Sequence, residues 1–182
     1  MRVDSSEVRY TEGSSLELRV DVDSSPDADV TLLRSQTKVA VGTGKYDIKL
    51  DNLQCNHTGT YDVRATNFVT QNRSNADPSR RQFELQVSCV PRRYGGVNAV
   101  IGVAGKKGQT VVLNVTVIAN PTPTIQWSEG LKTPDVTKNN AYMYTIRGKV
   151  TVTTWSDLLK YHVNVTNTVP GLLTVPFEIR PE

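Results

Sequence analysis

Apolar and polar residues alternate along most of this chain. Leu16, Leu18, Val20 and Val22 fall on one side of a two-residue period, while Glu17, Arg19 and Asp21 fall on the other. Phe83, Leu85 and Val87 repeat the pattern, as do Val111, Leu113, Val115 and Val117, which leave Asn114 and Thr116 on the opposite side. Successive side chains of a strand point to opposite faces, so each stretch predicts a strand with one buried face. No segment keeps apolar residues at helical spacing through three turns, and helices are not expected. Short strands separated by Gly, Asn, Pro and Asp predict an all-β sandwich.

The pattern runs through the chain twice. The first pass starts after Gly13 and continues through "DADVTLL", "YDIKLDNL", a corner, "TYDVRATN" and "FELQV". The second starts at Gly108 with an alternating strand, followed by "PTPTIQWS", "KVTVTTW", "DLLKYHVNVTN" and "VPFEIR". Between them, "SCVPRRYGG" carries Pro91 and the Gly95-Gly96 pair and reads as a linker. A chain of 182 residues accommodates two domains, expected over 1–90 and 91–182.

Composition narrows the class. A hydrophobic content of 37% argues for globular domains over disorder. The net charge of +3 is small, and the basic residues come as isolated pairs (Arg80-Arg81, Arg92-Arg93, Lys106-Lys107) rather than a stripe with stacking aromatics, so no nucleic-acid partner is expected. No apolar run is long enough to span a membrane and Met1 is followed at once by polar and charged residues, so a membrane anchor is expected outside this stretch. Two cysteines suit one structural disulfide. The sequons at Asn56, Asn72, Asn114 and Asn164 are candidate N-glycosylation sites. Together these point to the extracellular side of the plasma membrane, or to secretion.

The order of these elements resembles the immunoglobulin superfamily. In the first half, "IKLDNLQCNHTGTY" follows that family's approach to its sixth strand, with Ile48, Leu50, Leu53, Gly59 and Tyr61 in place and His57 where the family has Asp. In the second half "NPTPTIQWS" matches the run into the third strand, with Trp127 at the core tryptophan position. The resemblance implies two tandem immunoglobulin-like β-sandwiches, the first variable-like and membrane-distal, the second intermediate-set or fibronectin-like. It also implies that Tyr61 and Tyr161 are tyrosine corners. The departures are specific: the positions of the usual core cysteines hold Val20 and Val63 in the first half and Val115 and Val163 in the second, and Leu32 stands at the first tryptophan position. Both sandwiches would then lack the usual disulfide between their second and sixth strands. In this fold the corner before the sixth strand and the end of the seventh share a pole, which implies a Cys55–Cys89 bond. Loss of the core cysteines and tryptophan in a tandem of this kind is similar to the allorecognition receptors of colonial hydrozoans (the Hydractinia family). That likeness implies homophilic binding between copies on opposing cells.

Reactive constellations are missing. His57 and His162 have no Cys, Asp or second His at metal-ligand spacing. "GVAGKKGQT" fails the phosphate-loop pattern, because Lys107 stands where the second Gly is required, and it reads as a turn entering a strand. "GTG" at Gly42 to Gly44 reads as a hairpin turn. Neither an enzyme, a cofactor nor a small-molecule substrate is expected.

A protein partner is therefore the expectation, and sugar positions suggest where. Asn114 and Asn164 would shield the two sheet faces of the second domain, whereas Asn56 and Asn72 fall at the poles of the first. Parity along the strands of the first domain predicts Leu33, Asp62, Arg64 and Glu84 outward, with Leu33 as an apolar centre. Arg34, Gln36 and Lys38 would complete the patch. Its mixed charges would suit docking against a second copy. A heterophilic immune or pathogen receptor and a structural spacer are the alternatives.

Overall fold

The computed structural model describes residues 7–72, 79–96, 99–128, 131, 135–153 and 159–182. The chain divides into two compact units, Met1–Val87 and Ser88–Glu182.

The first unit contains β1 (Glu7–Thr11), β2 (Leu16–Val20), β3 (Asp29–Arg34), β4 (Thr37–Thr43), β5 (Tyr46–Leu50), a single 3-10 turn at Cys55–His57, β6 (Gly59–Thr66) and a short helix α1 (Phe68–Asn72). The first part of β7 (Ser79–Arg93) closes it. One sheet runs β4-β3-β6-β7 with β1 beside β7, and the other pairs β2 with β5. Alternation is followed residue by residue: Leu16, Leu18 and Val20 are buried while Glu17 and Arg19 are exposed. Val20 and Val63 are both in the core with Leu32, Ile48, Leu53 and Phe83. Each such side chain contributes about 1.5–3 kcal/mol by leaving water. The rings of Tyr61 and Phe83 stack, with centroids 5.4 Å apart.

The second unit contains the end of β7, then β8 (Ile101–Gly105), β9 (Thr110–Asn120), β10 (Thr124–Trp127), β11 (Asp135–Lys138), β12 (Met143–Thr151), β13 (Leu159–Thr166) and β14 (Leu173–Pro181). Its sheets run β11-β12-β9-β7 and β10-β13-β14-β8. Val111, Leu113, Val115, Val117, Ile146, Val163 and Phe177 form its core. Trp127 packs against that core, its ring 5.5 Å from Phe177. With β11 paired to β12 and β10 to β13, each sheet of this unit has four strands, the two-layer grouping of a sandwich. The turn expected at "GKKG" is present, with Gly108 at φ 85° ahead of β9.

Two expectations about connections are corrected. The segment read as a linker is strand: within β7, Cys89 pairs with Asn120, Arg92 with Ile118 and Arg93 with Val117. The two compact units meet within this strand, between Val87 and Ser88. "GTG" is not a hairpin turn, because β4 pairs with β3 whereas β5 pairs with β2. The chain passes from one sheet to the other there. The actual hairpin joins β3 to β4 through Ser35 and Gln36, at φ 48° and 69°. Two consecutive left-handed residues are what a two-residue turn needs to match the strand twist.

Candidate protein interface

The outer face of the β4-β3-β6-β7 sheet is set by register. Leu33 pairs with Asp62 on β6 and Lys38 on β4, Thr31 pairs with Arg64 and Val41, and Thr60 pairs with Glu84 on β7. Asp62 is the hub. Arg80 Nε donates to its Oδ1 at 2.7 Å and Arg64 to its Oδ2 at 3.0 Å, and Arg64 also donates to Gln36 Oε1 at 3.2 Å. Burial works to raise the pKa of Asp62, but the hydrogen bonds and charges of Arg80 and Arg64 outweigh it and hold the carboxyl below its ordinary range. Beside this cluster Thr60 Oγ1 donates to Glu84 at 2.9 Å. At the outer end of the sheet, Val41 is 55% exposed. Among the described residues no strand pairs with β4 on its far side.

Leu33 corrects the expectation of an exposed apolar centre, being 7% exposed. Its side chain stands apart from the core cluster, as parity required. Parity fixes direction, however, and not how far the flanking side chains stand over a residue. Arg34 is also displaced from the expected patch. Two positions on from Leu32, it shares that residue's inner side, and its guanidinium donates to the carbonyls of Asn56 and Thr58 and lies 5.7 Å from the Tyr61 ring centroid. Lys38, Gln36, Asp62, Arg64 and Glu84 do share the face. Sequence reasoning missed Val41 and Phe68. Phe68, which follows β6 on α1, is 72% exposed, and an apolar Phe68-Val69 pair inside an otherwise polar stretch was the available signal.

The corner that occupies Arg34 is tied on every side. Tyr61 donates its hydroxyl to the His57 carbonyl at 2.9 Å, the expected tyrosine corner. Burial raises the Tyr61 pKa, against the pull of Arg34. His57 Nδ1 accepts the Gln54 N–H at 2.9 Å, doing for the turn what a carboxylate would do. Burial, then the Arg34 charge, lowers the His57 pKa. Cys55 and Cys89 are disulfide-bonded, and neither lies on β2 or β6. The hydroxyl partner of Tyr161 would come from the segment before β13, and residues 154–158 lie outside the described ones.

Of the candidate sugar sites, Asn56 is exposed in the 3-10 turn and Asn114 is exposed on β9. Asn164 is half-buried on β13, its Oδ1 accepting from Thr174 at 2.8 Å. The side chain of Asn72 lies outside the described residues. Among the described residues no cluster of His, Cys, Asp and Glu could hold a metal, and no helix is long and apolar enough to cross a membrane.

No protein-family profile matches the chain, and no curated protein matches it by sequence. Solved structures do match. A chain of the crystal structure of Dpr2 Ig1-Ig2 in complex with DIP-Theta Ig1-Ig3 aligns with a TM-score of 0.74 at 17% identity, covering 98% of this chain and 62% of that one. A titin immunoglobulin tandem aligns at 0.69 and 18% identity, covering 100% and 97%. Sidekick-1 immunoglobulin domains 1-4 align at 0.58 and 19% identity, covering 97% and 45%. The chain thus spans less than two thirds of the matched chain of that complex and less than half of the Sidekick-1 chain. Likeness at such identities concerns the fold: each half of this chain is an immunoglobulin-like β-sandwich, and the two follow one another in tandem.

Proposed function

We propose that this chain is an extracellular cell–cell recognition module that binds protein through the outer face of the β4-β3-β6-β7 sheet, with a second copy on an opposing cell as its partner. The observation that carries this reading is the juxtaposition of exposed Val41 on the open edge strand β4 with the Asp62, Arg64 and Arg80 cluster on the same sheet. A face with an uncovered apolar edge and both signs of charge can meet its own copy about a two-fold axis, each charge facing its opposite. The disulfide favours an oxidising compartment. Weak contacts suffice when many copies are displayed on a surface. Allorecognition is the biological setting proposed for such self-binding. Residues 1–90 would be the membrane-distal domain, with the anchor outside this fragment.

A heterophilic partner is the second reading, and one observation favours it: the complex of Dpr2 Ig1-Ig2 with DIP-Theta Ig1-Ig3, a chain of which is similar in fold to this one, joins two different proteins.

The test coats beads densely with the protein and scores clustering, with Val41→Asp as the variant, since this exposed residue anchors nothing in the fold. Clustering that Val41→Asp abolishes supports homophilic binding through this face. Clustering that survives moves the site elsewhere, Phe68 being next. Beads that stay dispersed sink the homophilic reading and favour a foreign ligand or a spacer.

A further inference from the structure

The outer face of β13 and β14 carries a concavity of about 550 Å³, a size that ordinarily accommodates a small ligand. Its lining includes Val100, His162, Asn164, Leu172, Thr174 and Pro176. Leu172 is 62% and Val100 54% exposed, so two large apolar side chains stand uncovered on a face that the core does not need. Asn164, also in the lining, opens the sequon Asn164-Val-Thr166.

We infer that this concavity seats the sugar attached to Asn164, with the first residues of the glycan lying over Pro176, Leu172 and Val100. Three observations fit together. Thr174 Oγ1 donates to Asn164 Oδ1 at 2.8 Å, which orients the amide and leaves Nδ2 as the atom that would carry the sugar. Attachment at Nδ2 keeps Oδ1 as an acceptor, so the Thr174 bond persists after modification. The lining combines the apolar Val100, Leu172 and Pro176, suited to the N-acetyl methyl and the C–H face of a pyranose, with His162 and Lys160, whose polar atoms suit hydroxyl groups. A seated glycan would cover Leu172 and Val100 and make this face of the second unit unavailable to a partner. The inference rests on the extracellular placement proposed above, and not on which partner the first unit binds.

The experiment uses the whole chain secreted from eukaryotic cells. Site occupancy is read by mass spectrometry, and release of each glycan by a peptide amidase is timed on the folded protein. Asn164 is expected to be occupied. Its release should be roughly tenfold slower than from the same protein carrying Leu172→Asp, because cleavage requires the sugar to leave its seat. Nuclear Overhauser contacts from the first N-acetyl methyl to Leu172 or Pro176 should be present in the unsubstituted protein. An Asn164 that is bare while other sequons carry sugar overturns the inference. So does release that Leu172→Asp does not change, in the absence of those contacts. If no sequon is occupied, the extracellular placement fails with it.

Discussion

Thr58 Oγ1 donates to the Val87 carbonyl at 3.3 Å and accepts the Val87 N–H at 3.0 Å. The ladder between β6 and β7 ends at the Gly59–Leu85 pair, and one hydroxyl replaces the next rung. Thr58 is buried, so Thr58→Val keeps the volume and removes the hydroxyl that meets both backbone groups of Val87. A loss of about 2–3 kcal/mol is expected, and Thr58→Ser should stay within about 1 kcal/mol. Urea unfolding of unglycosylated protein checks this, since both Thr58 and Asn56 belong to a sequon. Equal stability for the Val and Ser variants would remove the hydroxyl from the account.

The bond between Cys55 and Cys89 acts on the unfolded chain. It closes a loop of roughly 34 residues, which the chain-entropy estimate places at about 3–4 kcal/mol. Replacing both cysteines with Ala should lower the urea midpoint by a matching amount, leaving the m-value to rise as the denatured chain expands. A midpoint unchanged on reduction would mean that apolar burial holds the fold without help from the cross-link.

Acid should weaken the first unit in two steps. His57 has a lowered folded pKa, so its neutral form, which accepts the Gln54 N–H, is the stabilising one. That contribution is present above the ordinary value of 6.5 and is lost as pH falls through the lower folded value. Asp62 follows the same sign at lower pH: its contribution is full above 3.8 and disappears as the carboxylate, facing Arg64 and Arg80, takes up a proton. His57→Asp should remove the first step, because a carboxylate accepts the same N–H without titrating near neutrality. Asp62→Asn should remove the second. Stability measured from pH 8 to pH 3 separates the two, and a first step that persists in His57→Asp would belong to another group.

The strands were legible because alternation is a local property: Leu16, Leu18 and Val20, or Val111 through Val117, declare their buried side without reference to partners. The burial of the valines at the usual cysteine positions followed from the same parity. Turn identity was not legible at Ser35-Gln36, because the left-handed pair there lacks the Gly or Asn that normally advertises it. Pro91 and two glycines suggested a linker, yet Arg92 and Arg93 pair with β9, and only the partner strand decides that. Within the candidate interface, parity placed Asp62 and Arg64 on one face. It could not show that Leu33 would be covered, or that Arg34 would turn to the corner carbonyls, since both depend on neighbours remote in sequence.

Gly148 and Trp127 provide a test of packing in the second unit. A Cβ on Gly148 would lie 2.5 Å from Leu131 Cδ2 and 2.9 Å from Trp127 Cζ2, closer than packed carbons approach. Glycine within β12 thus makes room for the indole. Gly148→Ala should cost about 1–3 kcal/mol through the displacement it forces. Trp127→Phe removes the opposing ring atoms together with a buried Nε1 that has no hydrogen-bond partner among the described residues, so the loss is apolar volume alone, about 1–2 kcal/mol. The phenyl ring leaves space where the alanine methyl must go. The double variant should therefore be more stable than the sum of the single losses predicts, by about 1 kcal/mol or more. Unfolding of all three variants completes the cycle, and strict additivity would show that Leu131, rather than Trp127, sets the limit at Gly148.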